Sequence, residues 1–270
     1  MYTLLHQLFN ISSSLGLAKG MLASVSLLSH YGLCMPQSFQ HWTPWIMHYQ
    51  WILFDADETL FHFDAYQGLK LMFSGYEVDF TQADYQQYQA VNKPLWVDYQ
   101  NGDISASELQ NTRFQSWSDK LGVPTQTINN EFLRAMGETC ACLPGAEALV
   151  GELTGKVKMG IITNGFTALQ TVRLEKTGFK DAFFPLVISE QVGVAKPHPL
   201  IFEHAFGFMD DTPKDRILMV GDNPHSDIQG GMNAGIHTCW LNVNGDPLPE
   251  GIKPHYQVGS LEQLLVLLRG

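Results

Sequence analysis

Positive charge is scarce in this chain. Against 27 Asp and Glu stand 16 Lys and Arg, a formal net charge of −11 at pH 7 with His neutral. A duplex binder needs a basic face to displace counterions from the phosphate backbone, so a nucleic-acid partner is excluded. Long apolar runs are also missing, and with them any stretch fit to span a bilayer; no membrane partner is expected. Cysteine is sparse, at 4 in 270 residues. Cys34, Cys140, Cys142 and Cys239 build no disulfide framework, and Cys140-x-Cys142 has the wrong spacing for a zinc knuckle or a redox pair. Reduced thiols in a cytoplasmic protein are the expectation. The first 54 residues contain no acid and a single base, Lys19. Their semi-apolar section, Leu15 to Leu28, is broken by Lys19 and Gly20 and lacks the basic start of a signal peptide. Residues 1–46 therefore read as an extension outside the core, with Met35 or Met47 as alternative starts. Asn10-Ile11-Ser12 matches a glycosylation sequon that such a chain has no occasion to use.

What is present is a packed globular composition, 45% apolar and 16% charged. From Met47 onward strand-like and helix-like segments alternate, which is the mark of an α/β fold with a Rossmann-like parallel sheet. Apolar runs at Trp51–Phe54, Lys158–Ile162, Leu186–Ile188, Ile217–Val220 and Thr238–Leu241 predict buried strands covered on both faces. Helices are predicted at 168–177, 199–206 and 227–234, with a last one opened by the Ser260/Gln263 capping box. Residues 63–142 differ. They show no strong strand, and the capping box Ser105/Glu108 leads into a predicted helix carrying Ala106, Leu109, Phe114, Trp117 and Leu121 on one arc. A second predicted helix carries Ile128, Phe132, Leu133 and Met136. The chain thus divides into an α/β core (47–62 and 143–270) and an inserted all-helical cap domain (63–142). Gly230-Gly231-x-x-Ala234-Gly235 lacks the G-x-G-x-x-G order of a dinucleotide loop and predicts close helix packing instead. His62 and His225 flank the polar motifs and are expected at the surface or packed rather than at work.

Three predicted strands stop at a polar residue. In open parallel sheets ligands bind beyond the carboxyl ends of the strands, so Asp55, Thr163 and Asp222 should converge on one crevice. Lys196, in the loop after Leu186–Ile188, can enter it. Asp55-Ala56-Asp57 places two carboxylates at i and i+2 past a buried strand, where mutual repulsion is costly unless chemistry uses both. Phosphoryl transfer does. One carboxylate attacks phosphorus, and the other serves as acid for the leaving oxygen and then as base for water. A phosphate dianion approaches carboxylates only beside an oxygen-seeking cation, for which Mg²⁺ is the natural choice, with Asp222 as a further ligand. Asp227 can order the ion's water or hold Lys196. Lys196 adds a fixed positive charge, and the Thr163 hydroxyl with nearby backbone N–H groups completes a cradle.

The motifs DADETL (55–60), TNG (163–165), AKP (195–197) and GDNPHSD (221–227), in that order, resemble the haloacid dehalogenase superfamily of phosphohydrolases. The resemblance runs from residue 47 to the C-terminus, and the helical insertion matches a cap of the family's first type. It implies Asp55 as nucleophile and Asp57 as acid/base. It further implies Mg²⁺ on the Asp55 carboxylate, the Asp57 backbone carbonyl and Asp222, with Asp227 supporting, and phosphate held by Thr163, Asn164 and Lys196. The wording WILFDADETLFHFD, YQAVNKPLWVDYQNG, GIITNGFTALQTVRLEKTG and VISEQVGVAKP is similar to the bacterial house-cleaning pyrimidine 5′-nucleotidases. That likeness implies hydrolysis of pyrimidine nucleoside 5′-monophosphates, non-standard ones included; separately, a monomer or small homo-oligomer is expected. Asn92, Lys93 and Trp96 are candidates to read base or ribose, against packing of Trp96 between cap helices. Other readings are a phosphatase for a sugar phosphate or phosphoglycolate, a sugar phosphomutase, and a regulator that binds phosphate as a signal. A dehalogenase is disfavoured, because breaking a carbon–halogen bond needs neither an acid at Asp57 nor a metal.

Overall fold

The computed structural model describes residues 48–269. The expectations for the 1–46 extension, for Cys34, for the sequon and for Met35 and Met47 lie outside the described residues.

Six parallel strands form the sheet in the order β3-β2-β1-β4-β5-β6, where β1 is Trp51–Phe54, β2 Lys158–Thr163, β3 Leu186–Ile188, β4 Ile217–Gly221, β5 His237–Leu241 and β6 Tyr256–Val258. The strands other than β6 read as largely unbroken apolar runs because both faces are covered. On one face Ile52, Phe54, Met159, Ile161, Leu218 and Val220 pack with helices α6 (Ala146–Leu153) and α11 (Leu261–Arg269). On the other, Trp51, Leu53, Ile162, Ile217 and Met219 pack with α9 (Pro199–Phe206). Side-chain alternation along β1 thus feeds two cores at once. The edge strand β6 was not foreseen. Its three residues go from half-buried to exposed to buried and make no apolar run.

Between β1 and β2 lie six helices: α6 and, before it, α1 (Ala65–Ser74), α2 (Gln82–Asn101), α3 (Ala106–Thr112), α4 (Gln115–Leu121) and α5 (Thr125–Thr139), which make up the insertion; the short α8 (Ser189–Val192) follows β3. Leu69, Phe73, Phe80, Leu109, Phe114, Ile128 and Phe132 of this insertion form an apolar cluster that Phe166, Leu169 and Ala195 of the α/β part also join. The single helix expected after Ser105 is two helices. A straight helix separates consecutive side chains by about 100°, whereas both Arg113 (5% exposed) and Phe114 (0%) are drawn inward here. Phe114 leaves helical geometry at φ −111°, ψ 5°, and that break satisfies both side chains.

The helix expected at 227–234 is also modified. It opens as a wide π-type turn over Pro224–Ile228 and continues as α10 (Gln229–Asn233). Its glycines are there for contact: a Cβ on Gly230 would stand 2.7 Å from the Phe202 ring, and one on Gly231 2.7 Å from Thr238. Close packing, not dinucleotide binding, explains them. No helix among the described residues is long and apolar enough to cross a membrane, and Cys140, Cys142 and Cys239 are free thiols.

Candidate active site

The chain winds outward from β1 to β2 and β3, then returns to β4 on the other side of β1 before continuing to β5 and β6. The crevice at such a reversal is where open α/β sheets bind ligands. A cavity of about 250 Å³ opens there, lined by Asp55, Asp57, Thr163, Asn164, Lys196 and Asp222 from the strand ends and by Tyr88, Asn92, Trp96 and Arg113 from the insertion. After β1 the chain turns tightly: Ala56 O accepts from Leu60 N at 3.0 Å and Phe61 N at 2.9 Å. The turn forces Glu58 to φ 54°, a sparsely populated conformation for a non-glycine residue.

Lys196 is the electrostatic centre. It is 1% exposed, and its ammonium donates to Asp55 Oδ1 at 2.6 Å and to the Ile162 carbonyl at 2.6 Å, with Asp227 Oδ1 at 2.7 Å. Its three N–H bonds thus have three acceptors. Burial works against the charge, but Asp227 and Asp55 overcome it and keep the ammonium protonated. Asn164 secures the same residue from its backbone, donating to Lys196 O at 3.0 Å and accepting from Lys196 N at 2.8 Å. The Asn164 amide is therefore committed to that loop. Thr163 is 1% exposed, and its hydroxyl accepts from Gly165 N at 3.0 Å.

Asp227, fully buried, spends its oxygens within the protein: besides Lys196, it accepts from Ser226 Oγ at 3.0 Å and Asn223 N at 3.0 Å. The π-type turn brings it so close that a Cβ on Gly221 would stand 2.2 Å from Asp227 Oδ2, so no larger residue fits there. Asp222 is pinned from two sides. Thr59 Oγ1 donates to Asp222 Oδ1 at 3.2 Å and accepts from Asp222 N at 3.1 Å, while Trp240 Nε1 donates to Asp222 O at 2.8 Å. Asp57 meets Arg173, whose Nη1 lies 2.5 Å from Asp57 Oδ1; the pair is close in distance but poorly aligned as a hydrogen bond. Arg173 comes from α7 (Thr167–Thr177) and is fully buried.

Four carboxylates (Asp55, Asp57, Asp222, Asp227) thus face two cations (Lys196, Arg173), leaving two negative charges over. The titration behaviour reflects this surplus. Burial pushes the Asp55 carboxyl well above its ordinary range; Lys196 opposes the shift, while Asp227 and Asp222 add to it. Burial, then Asp227, pushes Asp222 up to about 7, with Lys196 and Thr59 opposing. Oxygens of Asp55, Asp222 and Asp227 all lie within 4.8 Å of one another. A hard divalent cation fits this set in donor chemistry and in charge.

The sequence candidates divide as follows. Asp55, Asp57, Thr163, Asn164, Lys196 and Asp222 line one cavity, and Asp227 stands behind Lys196. Asn92 and Trp96 line it from α2. The Trp96 ring lies 5.8 Å from Tyr99, on the same helix, and 5.3 Å from Phe166, just after β2, so it packs against the α/β part rather than between cap helices. Lys93 is exposed and outside the lining, because it follows Asn92 around the helix onto the outer side. His62 is exposed, 3.3 Å from Glu58, and neither it nor His225 lines the cavity. Sequence reasoning missed Arg113 and Arg173, and it placed Thr59 in the DADETL motif without giving it a role. Arg173 and Gln170 carried a signal: they occupy the buried stripe of α7 with Leu169 and Leu174, where apolar residues belong.

The model of the haloacid dehalogenase-like hydrolases matches residues 49–235. The chain belongs to that family. It is 55% identical over 222 residues to the pyrimidine 5′-nucleotidase YjjG of Escherichia coli, covering 82% of this chain and 99% of that one. It is 35% identical to the pyrimidine 5′-nucleotidase PynA of Streptococcus pneumoniae, over 81% of this chain and 94% of the relative. Among solved structures, the HAD-hydrolase YfnB of Bacillus subtilis bound to magnesium superposes with a TM-score of 0.71 at 30% identity, covering 82% of this chain and 98% of that one. As an enzyme of this family the protein is a hydrolase on the expected α/β scaffold.

Proposed function

We propose that this protein is a Mg²⁺-dependent phosphomonoesterase acting on pyrimidine nucleoside 5′-monophosphates, non-standard ones included. The observation that carries this reading is the 55% identity to a pyrimidine 5′-nucleotidase across 99% of that enzyme's length. The magnesium-bound relative YfnB and the all-oxygen donor set support the choice of ion. The Asp55 and Asp222 carboxylates and the Asp57 backbone carbonyl would hold it, with Asp227 supporting. When bound, the ion neutralises the surplus negative charge, so that a phosphate dianion can approach a carboxylate.

In the first half-reaction an Asp55 oxygen forms a bond to phosphorus while the bond from phosphorus to the nucleoside oxygen breaks. Asp57 gives its proton to that departing oxygen. In the second, Asp57 takes a proton from water, whose oxygen displaces Asp55 from phosphorus and releases phosphate. Esterification removes the Asp55 charge, and the Lys196 N–H that served it turns to the phosphoryl oxygens. The Thr163 hydroxyl and the backbone N–H groups of the 163–165 turn complete their binding, with Asn164 holding the Lys196 loop in place. Residues 63–142 act as the cap that limits water, and residues 1–46 are an appendage without a catalytic role.

A substrate panel tests the reading: UMP, dUMP, CMP and TMP against AMP, GMP, ribose 5-phosphate and phosphoglycolate, each with Mg²⁺ and with a chelator. Pyrimidine nucleotides should lead in kcat/KM by about tenfold or more, roughly the 1.4 kcal/mol one good contact supplies, and chelation should abolish turnover. Equal turnover of the sugar phosphates would show that the base is not recognised.

A further inference from the structure

Arg113 is 5% exposed yet lines the cavity that holds Asp55. Its guanidinium stands 5.2 Å from each of the Phe114, Phe132 and Phe166 ring centres, which fix its position. Behind it runs a polar chain. Arg113 Nη2 donates to Asn129 Oδ1; Asn129 donates to Gln110 Oε1 at 2.8 Å; Gln110 donates to Glu190 Oε1 at 2.8 Å. Glu190 closes the chain by accepting from Thr167 N at 2.9 Å, at the start of α7. The groups in direct reach of the cation are neutral, the Asn129 amide and the Tyr88 phenol. Arg113 Nε has no hydrogen-bond partner. A guanidinium offers five donors and stays charged, so burying one short of acceptors is costly. A ligand acceptor in the cavity pairs with a terminal guanidinium nitrogen, not with the shielded Nε, and offsets part of that cost.

The chemistry of the substrate class says which acceptor. Uracil, cytosine and thymine differ at C4 and C5, and N3 donates in two of them but accepts in the third. All three share the carbonyl oxygen at C2, beside the glycosidic nitrogen. A donor-only group reads that oxygen in every pyrimidine, while adenine has no exocyclic carbonyl and guanine carries an amino group at its own C2. Trp96 and Phe166, 5.3 Å apart, supply flat apolar surfaces in the same cavity. We propose that Arg113 is the residue that determines base specificity, donating from its guanidinium to the C2 carbonyl oxygen of the bound pyrimidine. This deepens, and rests on, the nucleotidase reading above.

The test measures kcat/KM for the full-length wild type, Arg113→Met and Arg113→Lys on UMP, CMP, 2-thio-UMP and ribose 5-phosphate. A charge-assisted hydrogen bond predicts a loss of about 10- to 100-fold for Arg113→Met on UMP and CMP, and of about threefold at most on ribose 5-phosphate, which has no base. The wild type should prefer UMP to 2-thio-UMP, whose sulfur is a poorer acceptor, and Arg113→Met should lose that preference. Arg113→Lys should show a smaller loss with the same substrate pattern. A wild type that hydrolyses ribose 5-phosphate as well as UMP would overturn the nucleotidase reading itself. A wild type that prefers UMP, paired with variants that lose equally on UMP and ribose 5-phosphate, would overturn the Arg113 assignment alone. Should Arg113→Met not fold, equal wild-type turnover of UMP and 2-thio-UMP would still overturn it.

Discussion

Replacing Lys196 by Met keeps the stem of the side chain and removes a cation held 2.6 Å from Asp55 and 2.7 Å from Asp227. Asp227 is fully buried and would be left without its counter-charge. Breaking a buried pair on one side costs about 3–5 kcal/mol. At about 2–4 °C per kcal/mol for a protein of this size, the melting temperature should fall by roughly 6–20 °C. Removing the stranded charge as well, in Lys196→Met/Asp227→Asn, should recover part of the loss, with a coupling energy of about 1–3 kcal/mol. Activity should behave differently. Both variants lose the fixed donor beside the reacting oxygens, a loss of about 10²–10³ in kcat that repairing stability does not restore. Urea denaturation followed by circular dichroism, together with initial rates on UMP, measures both. Additive stability effects, or a single variant that costs under about 1 kcal/mol, would refute the buried three-acceptor arrangement.

Three further outcomes are expected. The Asp222 carboxyl is raised from 3.8 to about 7 in the folded protein, so its stabilising contribution is present at low pH and lost as pH rises through about 7. Metal-free protein should therefore melt lower at pH 8 than at pH 6, and stabilisation by added Mg²⁺ should grow over that interval; a metal-free melting temperature that rises between these pH values contradicts the burial of this charge. Asp57→Asn should cost about 10²–10⁴ in kcat on UMP but far less on an aryl phosphate whose leaving group needs no proton. An equal loss on both would remove Asp57 from the acid role. Deleting residues 1–46 should leave kcat/KM and the melting temperature unchanged, and a large drop in either would make the extension part of the working protein.

Five of the six strands were legible because burial on both faces demands unbroken apolar runs, and three of those runs stop at a residue that serves the site. Asp55, Thr163 and Asp222 were found that way. The insertion was harder to read. The buried residues of α2 are Tyr88, Asn92 and Tyr99, a stripe too polar for apolar periodicity to register, and it is polar where Tyr88 and Asn92 face the cavity. The break at Arg113–Phe114 was hidden because Leu109, Phe114 and Trp117 keep helical spacing across it. Arg173 illustrates the complementary lesson. A charged residue on the buried stripe of an otherwise amphipathic helix is costly there, and its partner, Asp57, lies over a hundred positions away in sequence. Only the folded chain shows what offsets that cost.

The central claim is that one side-chain oxygen at the end of β1 is transiently esterified. The direct measurement is acid quenching of the enzyme during turnover of a pyrimidine nucleotide with Mg²⁺, followed by peptide mapping of the phosphorylated residue. Label on Asp55, absent from Asp55→Asn, is the result predicted; label on another residue, or a wild-type enzyme that turns over without acquiring any, would contradict the account.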